Sequence, residues 1–299
     1  MLSFKSAQTA HRNGVISVLA ALPFVSFSGL FGKFLTLSPL LIVQGRAIFA
    51  FEALFIALII LRKQIFFSDL REWLWLVLSG SILGVHWIAF FQAIQVSSVA
   101  IGLLSFASYP LFTIFLEPIF FRESLRGSNV WATLIVLCGL GLMATSTTND
   151  SSIIISGSVF YGIIWGLIAG FGFAVLTLLN RGHVQKHSAL LITCWQNGFA
   201  ALVILPWSLA ESWNFSVKEW SLLFILGVIC TVGGHTLLIN GLRYVRAHVV
   251  SLLIAGLEPV LAIIFALFLL GEVPNLQTLI GGSLIICTTV YIIFKNEQK

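Results

Sequence analysis

His86 and His235 are two of only six histidines in the chain, and they stand 149 residues apart in matching surroundings, Gly84-Val85-His86 and Gly233-Gly234-His235. Histidine gains or loses a proton near neutral pH, so the pair is a candidate for proton coupling. The plainer reading of each ring is a hydrogen-bonded core residue. The same register places Tyr109-Pro110 on Glu258-Pro259. Proline lacks an amide hydrogen and frees a carbonyl about four residues back, so Pro110 and Pro259 mark expected helix breaks. The carboxylate of Glu258 beside such a break serves either as a structural cap or as a ligand contact. Arg46, Glu52 and Glu117 are further ionisable groups inside apolar runs. Trp87, Trp165 and Trp195 would form walls of an apolar cavity, or pack helices; Asn240, Gln196 and Asn197 are weaker polar candidates.

The chain also lacks several chemistries. It has no G-x-x-x-x-G-K-[ST] loop, no H-E-x-x-H, no Cys/His cluster and no close carboxylate pair, so no catalytic residue, metal or cofactor is expected. Cys138, Cys194, Cys230 and Cys287 all fall in apolar runs without C-x-x-C spacing and read as small core hydrophobes.

These residues must be positioned by elements suited to an apolar solvent. The 299 residues are 59% hydrophobic and 9% charged, with mean hydropathy +1.04. Soluble domains run near ~45–50% apolar and about 25% charged. A soluble enzyme, a disordered chain and a disulfide scaffold are thereby excluded. The apolar segments are continuous rather than alternating, which points to helices instead of a barrel. A span needs roughly 20 apolar residues, and ten are read: 14–35, 39–61, 73–95, 98–121, 128–146, 157–180, 187–209, 220–241, 247–270 and 275–294. The first is too long for a signal-peptide core and is expected to stay in the mature chain.

Ten spans with the N-terminus inside put Lys5, Arg12, Arg62, Lys63, Arg71, Arg122, Arg126, Arg181, Lys186, Arg243, Arg246, Lys295 and Lys299 on one side. Only Lys33 and Lys218 fall on the other. Cytoplasmic loops carry such an excess, so the net charge of +5 reports orientation and not nucleic-acid binding. The expectation is a multi-pass protein of the cell (inner) membrane with both termini cytoplasmic. Trp73, Trp75, Trp207, Trp213 and Trp220 lie near helix ends, as interfacial anchors would.

The spans divide five and five. The 149-residue register also pairs Glu123 with Glu272 and Cys138 with Cys287; nearby registers pair Lys33 with Arg181 and Ser38–Ile42 with Ser188–Ile192. Such coincidences among scarce residues predict two repeats, 1–149 and 150–299. An odd number of spans per repeat makes the second insert upside down. Inverted repeats are an architecture of alternating-access carriers, with the site near the midplane at their interface; a duplication kept only for packing is the competing account. Gly29, Gly32, Gly102, Gly170, Gly172 and Gly256 read as close-contact or bending points.

The ending Glu258-Pro259-Val260 … Leu270-Gly271-Glu272 and its first-half partner, Tyr109-Pro110-Leu111 … Phe121-Arg122-Glu123, resemble the EamA-type members of the drug/metabolite transporter superfamily. Arg46 matches a position often basic there, and the resemblance covers essentially the whole chain. It implies an all-α integral membrane protein of ten transmembrane helices in two inverted five-helix repeats. Helices 1, 3, 4, 6, 8 and 9 would surround a cavity containing Arg46, His86, Trp87, Tyr109, Trp165, His235, Asn240 and Glu258. It further implies export of small metabolites such as amino acids. An intramembrane enzyme would need a nucleophile with its base, and a passive channel fits poorly with scattered polar groups. The expected partners are the bilayer and a small molecule, and a homo-oligomer is compatible with helices that are all apolar enough to face lipid or another subunit. If the histidines couple protons, His86→Gln and His235→Gln should flatten the pH dependence of transport in proteoliposomes. An unchanged profile in both variants removes them from that role.

Overall fold

The computed structural model describes residues 2–97, 102, 105–122, 127–145, 157–270, 276, 279–281, 283, 284, 286–288 and 291. Among the described residues there is no strand. The helices are α1 (Leu2–Phe34), α2 (Pro39–Ile60), α3 (Leu70–Val96), α4 (Tyr109–Phe121), α5 (Gly127–Thr145), α6 (Gly157–His183), α7 (Ala189–Ser208), α8 (Val217–Gly241), α9 (Ala247–Leu270) and α10 (Leu279–Thr288). They follow the ten expected spans in order. Six of them, α1, α2, α3, α6, α7 and α8, hold stretches long and apolar enough to cross a membrane; α4, α5, α9 and α10 hold shorter ones. The outer surface carries large apolar side chains such as Ile60, Ile119 and Phe268, as a lipid-facing surface does.

Local rules explain the helix ends. The Ser38 and Ser188 hydroxyls accept from the amides of Leu41 and Leu191 at the starts of α2 and α7. The repeated Ser-x-Leu-Leu-Ile run is therefore a helix cap used twice. Each cap is worth about 1 kcal/mol. Pro110 lies in the first turn of α4, after a turn at Ala107 and Ser108, where a missing amide costs nothing. Span 4 is thus interrupted ahead of Tyr109. The break expected at Pro259 takes a milder form, because α9 continues through it to Leu270. The helix runs on although proline offers no amide to the carbonyl four residues back.

The helices pair mainly across the two halves: α1 with α8 and α9, α3 with α6 and α7, α2 with α7 and α8, and α4 with α6 and α9. Exchanging each helix with the one five places on returns the same set of pairs. An inverted repeat requires that symmetry. One contact repeats at atomic detail. A Cβ built on Gly80 of α3 would lie 2.6 Å from the Phe199 Cβ, 2.8 Å from the Gln196 carbonyl oxygen and 3.2 Å from the Ala200 nitrogen. On Gly227 of α8 it would lie 2.6 Å from the Phe49 Cβ, 2.9 Å from the Arg46 carbonyl oxygen and 3.2 Å from the Ala50 nitrogen. Small residues allow such close backbone approach in membrane bundles.

Gly80 and Gly227 are 147 residues apart, whereas His86 and His235 are 149 apart. The second half therefore has two more residues over this stretch. The π-helical segment Ile225–Thr231 overlaps it, and its wider turns, which close on the fifth residue, accommodate extra chain there. This segment bears on the site below.

Several expectations need correction. Cys138 and Cys287 are exposed, so only Cys194 and Cys230 are core residues. Gly29 has nothing within 4 Å of a built Cβ and Gly32 has only ordinary contacts, whereas Gly102 and Gly170 are close-contact points. Lys33's side chain, Glu123, Glu272 and the boundary at 149/150 lie outside the described residues. Gly227→Val and Gly80→Val should each destabilise the bundle by about 1–3 kcal/mol through overpacking against backbone. Gly29→Ala should leave it unchanged. Thermal unfolding in detergent checks all three.

Candidate functional site

The approach of α2 to α8 at Gly227 sets Arg46 against the π-helical segment. Arg46 is 4% exposed. Its Nε and Nη2 donate to the Thr231 Oγ1 at 3.2 and 3.1 Å. That hydroxyl in turn donates to the Leu226 carbonyl, five residues back, at 2.7 Å. The guanidinium carbon also stands 3.6 Å from the centroid of the Trp87 ring on α3. A desolvated cation–π contact of this kind contributes about 2 kcal/mol. The Trp87 ring meets His235 of α8 edge-on, with centroids 5.0 Å apart.

His86, the residue immediately before Trp87 on α3, is held differently. Its Nδ1 lies 3.0 Å from the Ala169 carbonyl oxygen of α6. A carbonyl only accepts, so Nδ1 carries the hydrogen. The ring packs against both Phe106 and Phe173, at centroid distances of 5.4 and 5.2 Å. The two histidines thus occupy matched positions in sequence but unlike surroundings.

These groups enclose one cavity of about 50 Å³. A water needs about 10–15 Å³ of such space, so the cavity has room for roughly three to five. Its polar lining is Arg46, His86, His235, Glu258, Ser28 and Cys230; its apolar lining is chiefly the rings of Trp87, Phe90, Phe91, Phe106 and Phe173. Helices α1, α2, α3, α6, α8 and α9 contribute, together with Phe106 just ahead of α4. Arg46 adds α2 to the helices expected around the cavity. Glu258 has neither a hydrogen bond nor an ion pair among the described residues, and its side chain faces this space. Arg46 likewise has no carboxylate partner among them.

Of the residues singled out in the sequence, Arg46, His86, Trp87, His235 and Glu258 converge here. Tyr109 lies behind the aromatic wall, with its ring 4.9 Å from Phe106 and 4.8 Å from Phe173. Its buried hydroxyl has no hydrogen-bond partner among the described residues. Trp165 is half-buried against the core and does not line the cavity. Asn240 donates to the Ser17 hydroxyl at 3.2 Å, and Ser17 to the Leu237 carbonyl, which ties α8 to α1 outside the cavity. Gln196 donates to Asn180, and Asn197 to the Thr193 carbonyl. Glu52 is exposed, on a different face of α2 from Arg46.

The sequence reading missed Thr231 and the phenylalanines. Thr231 had no visible signal, because its role arises from the π-helical segment. The phenylalanines of the wall are four among 26 in the chain, and nothing in their spacing sets them apart. Among the described residues, no three His, Cys, Asp or Glu side chains come together to hold a metal.

The comparisons with known proteins agree with this architecture. The sequence model of the EamA-like transporter family matches twice, at residues 12–145 and 160–294. The "Uncharacterized transporter YxxF" of Bacillus subtilis is 25% identical over 232 residues, covering 77% of this chain and 72% of that protein. An "Uncharacterized transporter" of Archaeoglobus fulgidus is 29% identical over 198 residues, covering 66% of this chain and 68% of its own. An "S-adenosylmethionine uptake transporter" of Rickettsia prowazekii is 26% identical over 225 residues, covering 75% and 72%. A solved structure, described as a crystal structure of a protein, superposes with a TM-score of 0.76 at 16% identity, over 94% of this chain and 96% of its own; at that identity it speaks for the fold alone. Two matches of one family model, one in each half of a multi-pass helical bundle, place the chain in the EamA-like transporter family.

Proposed function

We propose that this chain is a secondary carrier that moves a small amphipathic metabolite, with amino acids and related compounds as the leading class, by alternating access around the midplane cavity. The observation that carries the reading is a guanidinium and a carboxylate, Arg46 and Glu258, facing one aromatic-walled cavity without forming an ion pair with each other. Charges left in this way at membrane depth belong to ligand paths more often than to packing. A zwitterion supplies a partner for each, and the rings suit an apolar side chain or a cation. The cavity as it stands admits only a few waters, so a metabolite enters only when the halves move apart.

Export is our first reading of direction, with residues 1–149 and 150–299 as the rocking units. The arginine-rich loops would be cytoplasmic and the protein would lie in the cell (inner) membrane. A second reading is uptake. It is favoured by the relatives named as S-adenosylmethionine uptake transporters, since that compound joins an amino-acid head to a sulfonium cation. Proton coupling through His86 and His235 completes the proposal. His86 already donates from Nδ1 to Ala169, so the larger effect is expected at His235, which makes no such bond and lines the cavity.

Comparing metabolite pools inside and outside overexpressing and deletion cells identifies the compound and its direction. In proteoliposomes, that compound should show trans-stimulation by its unlabelled form. A channel would not show this, and an enzyme would return an altered product. Arg46→Lys keeps the charge but loses the planar fork that holds Thr231 and covers Trp87, so counterflow should fall about tenfold to a hundredfold. Glu258→Gln should fall as far. Full counterflow in both variants would remove them from the binding site.

A further inference from the structure

A second cluster of polar groups lies on the seam between α4 and α9, away from the cavity lining. The Thr113 hydroxyl is 3.1 Å from that of Ser251, and both side chains are fully buried. One turn further along α4, the Glu117 carboxylate accepts from the Ala247 amide at 2.8 Å and from the Arg181 guanidinium at 2.7 Å. His248 bonds its other oxygen. Contacts advance by four residues on α4 as they retreat by four on α9, so the helices run antiparallel. The seam leads from the cavity, at Phe106 and Glu258, to a second space of about 250 Å³. Arg181, Gln185, Arg243, Tyr244 and Arg246 line that second space.

Two hydrogen-bonded layers therefore separate the two spaces. Glu117 comes from the first half, and every donor to it named above comes from the second: Arg181 from α6, Ala247 and His248 from α9. A buried carboxylate that gathers donors from two helices across an interface fastens them, because each donor and the charge lose their partner if the helices part. At the repeat-equivalent position, 149 residues on, the chain has Ala266 in place of a carboxylate.

We propose that Glu117 is the latch on the passage between the central cavity and the arginine-lined space. It acts as a positioning residue, holding α4 onto α6 and α9 and releasing them when its charge is removed. The Thr113–Ser251 pair forms the second barrier of the same passage. This rests on the reading of the cavity as a transport site, but its test needs no substrate.

Cys230 lines the cavity and is 2% exposed, so its reaction with a charged, membrane-impermeant methanethiosulfonate reports whether the cavity is open. The chain is prepared with Cys138, Cys194 and Cys287 replaced by Ala, in membrane vesicles of both orientations. Glu117→Gln should raise the labelling rate about tenfold or more, and only when reagent is on the side of Arg243 and Arg246. Glu117→Asp should restore slow labelling. Adding Thr113→Cys with Ser251→Cys and oxidising the pair should return the Glu117→Gln chain to the slow rate, and reduction should release it. If Glu117→Gln does not fold, Arg181→Gln is read in the same way. An unchanged rate, an equal rise from both sides, or fast labelling through the cross-link would overturn the proposal. A chain that labels as expected yet moves no metabolite would refute the transport reading and leave the latch standing.

Discussion

An ion placed in a hydrocarbon layer has no water to solvate it, so every charged side chain at depth must find a counter-charge, hydrogen bonds, an aromatic face or a wetted space. The interior of this bundle contains three solutions. Arg46 is held by a hydroxyl and a tryptophan face. Glu117 is surrounded by donors from two other helices. Glu258 is left to the cavity. Glu117 and its donors stabilise one arrangement of helices, whereas Arg46 and Glu258 face the cavity without pairing with each other, a demand that a ligand meets in the function we propose. That contrast separates scaffold from site more clearly than burial does, since all three lie well inside the bundle.

The inverted repeat supplies the symmetry in which these groups sit, and departures from it set the cavity groups apart. Gly80 and Gly227 make the same contact with Gln196, Phe199 and Ala200 and with Arg46, Phe49 and Ala50. Arg46 and Gln196 thereby occupy equivalent places. One is a guanidinium facing the cavity; the other is an amide bonded to Asn180. The π-helical segment of α8 has no counterpart in α3, and it provides the Thr231 hydroxyl that holds Arg46. A symmetric scaffold with unlike residues at equivalent points is suited to a carrier, because its two end states need similar packing but different affinities.

Much of the site was legible because scarcity is informative in an apolar chain. Arg46, His86, Trp87, His235 and Glu258 stood out in sequence and meet at one cavity. Tyr109 belongs to the layer behind it, since α4 starts at Tyr109 and packs the ring against both Phe106 and Phe173. Trp165 and Asn240 were singled out on residue type and depth. Type and depth do not determine rotation about a helix axis, and these two face the core and α1. The wall phenylalanines were illegible for the opposite reason, being too common to stand out.

By itself, the sequence determined the membrane class, the ten helices and the twofold duplication. Each of these depends on local composition or on periodic recurrence, which survive in a one-dimensional string. Tertiary structure decided which face of each helix turns inward, that α8 carries a π-helical segment, and that Glu117 meets Arg181, Ala247 and His248. Those outcomes depend on how close two helices can approach, at Gly80 and Gly227 above all. That distance is set jointly by side chains far apart in the chain.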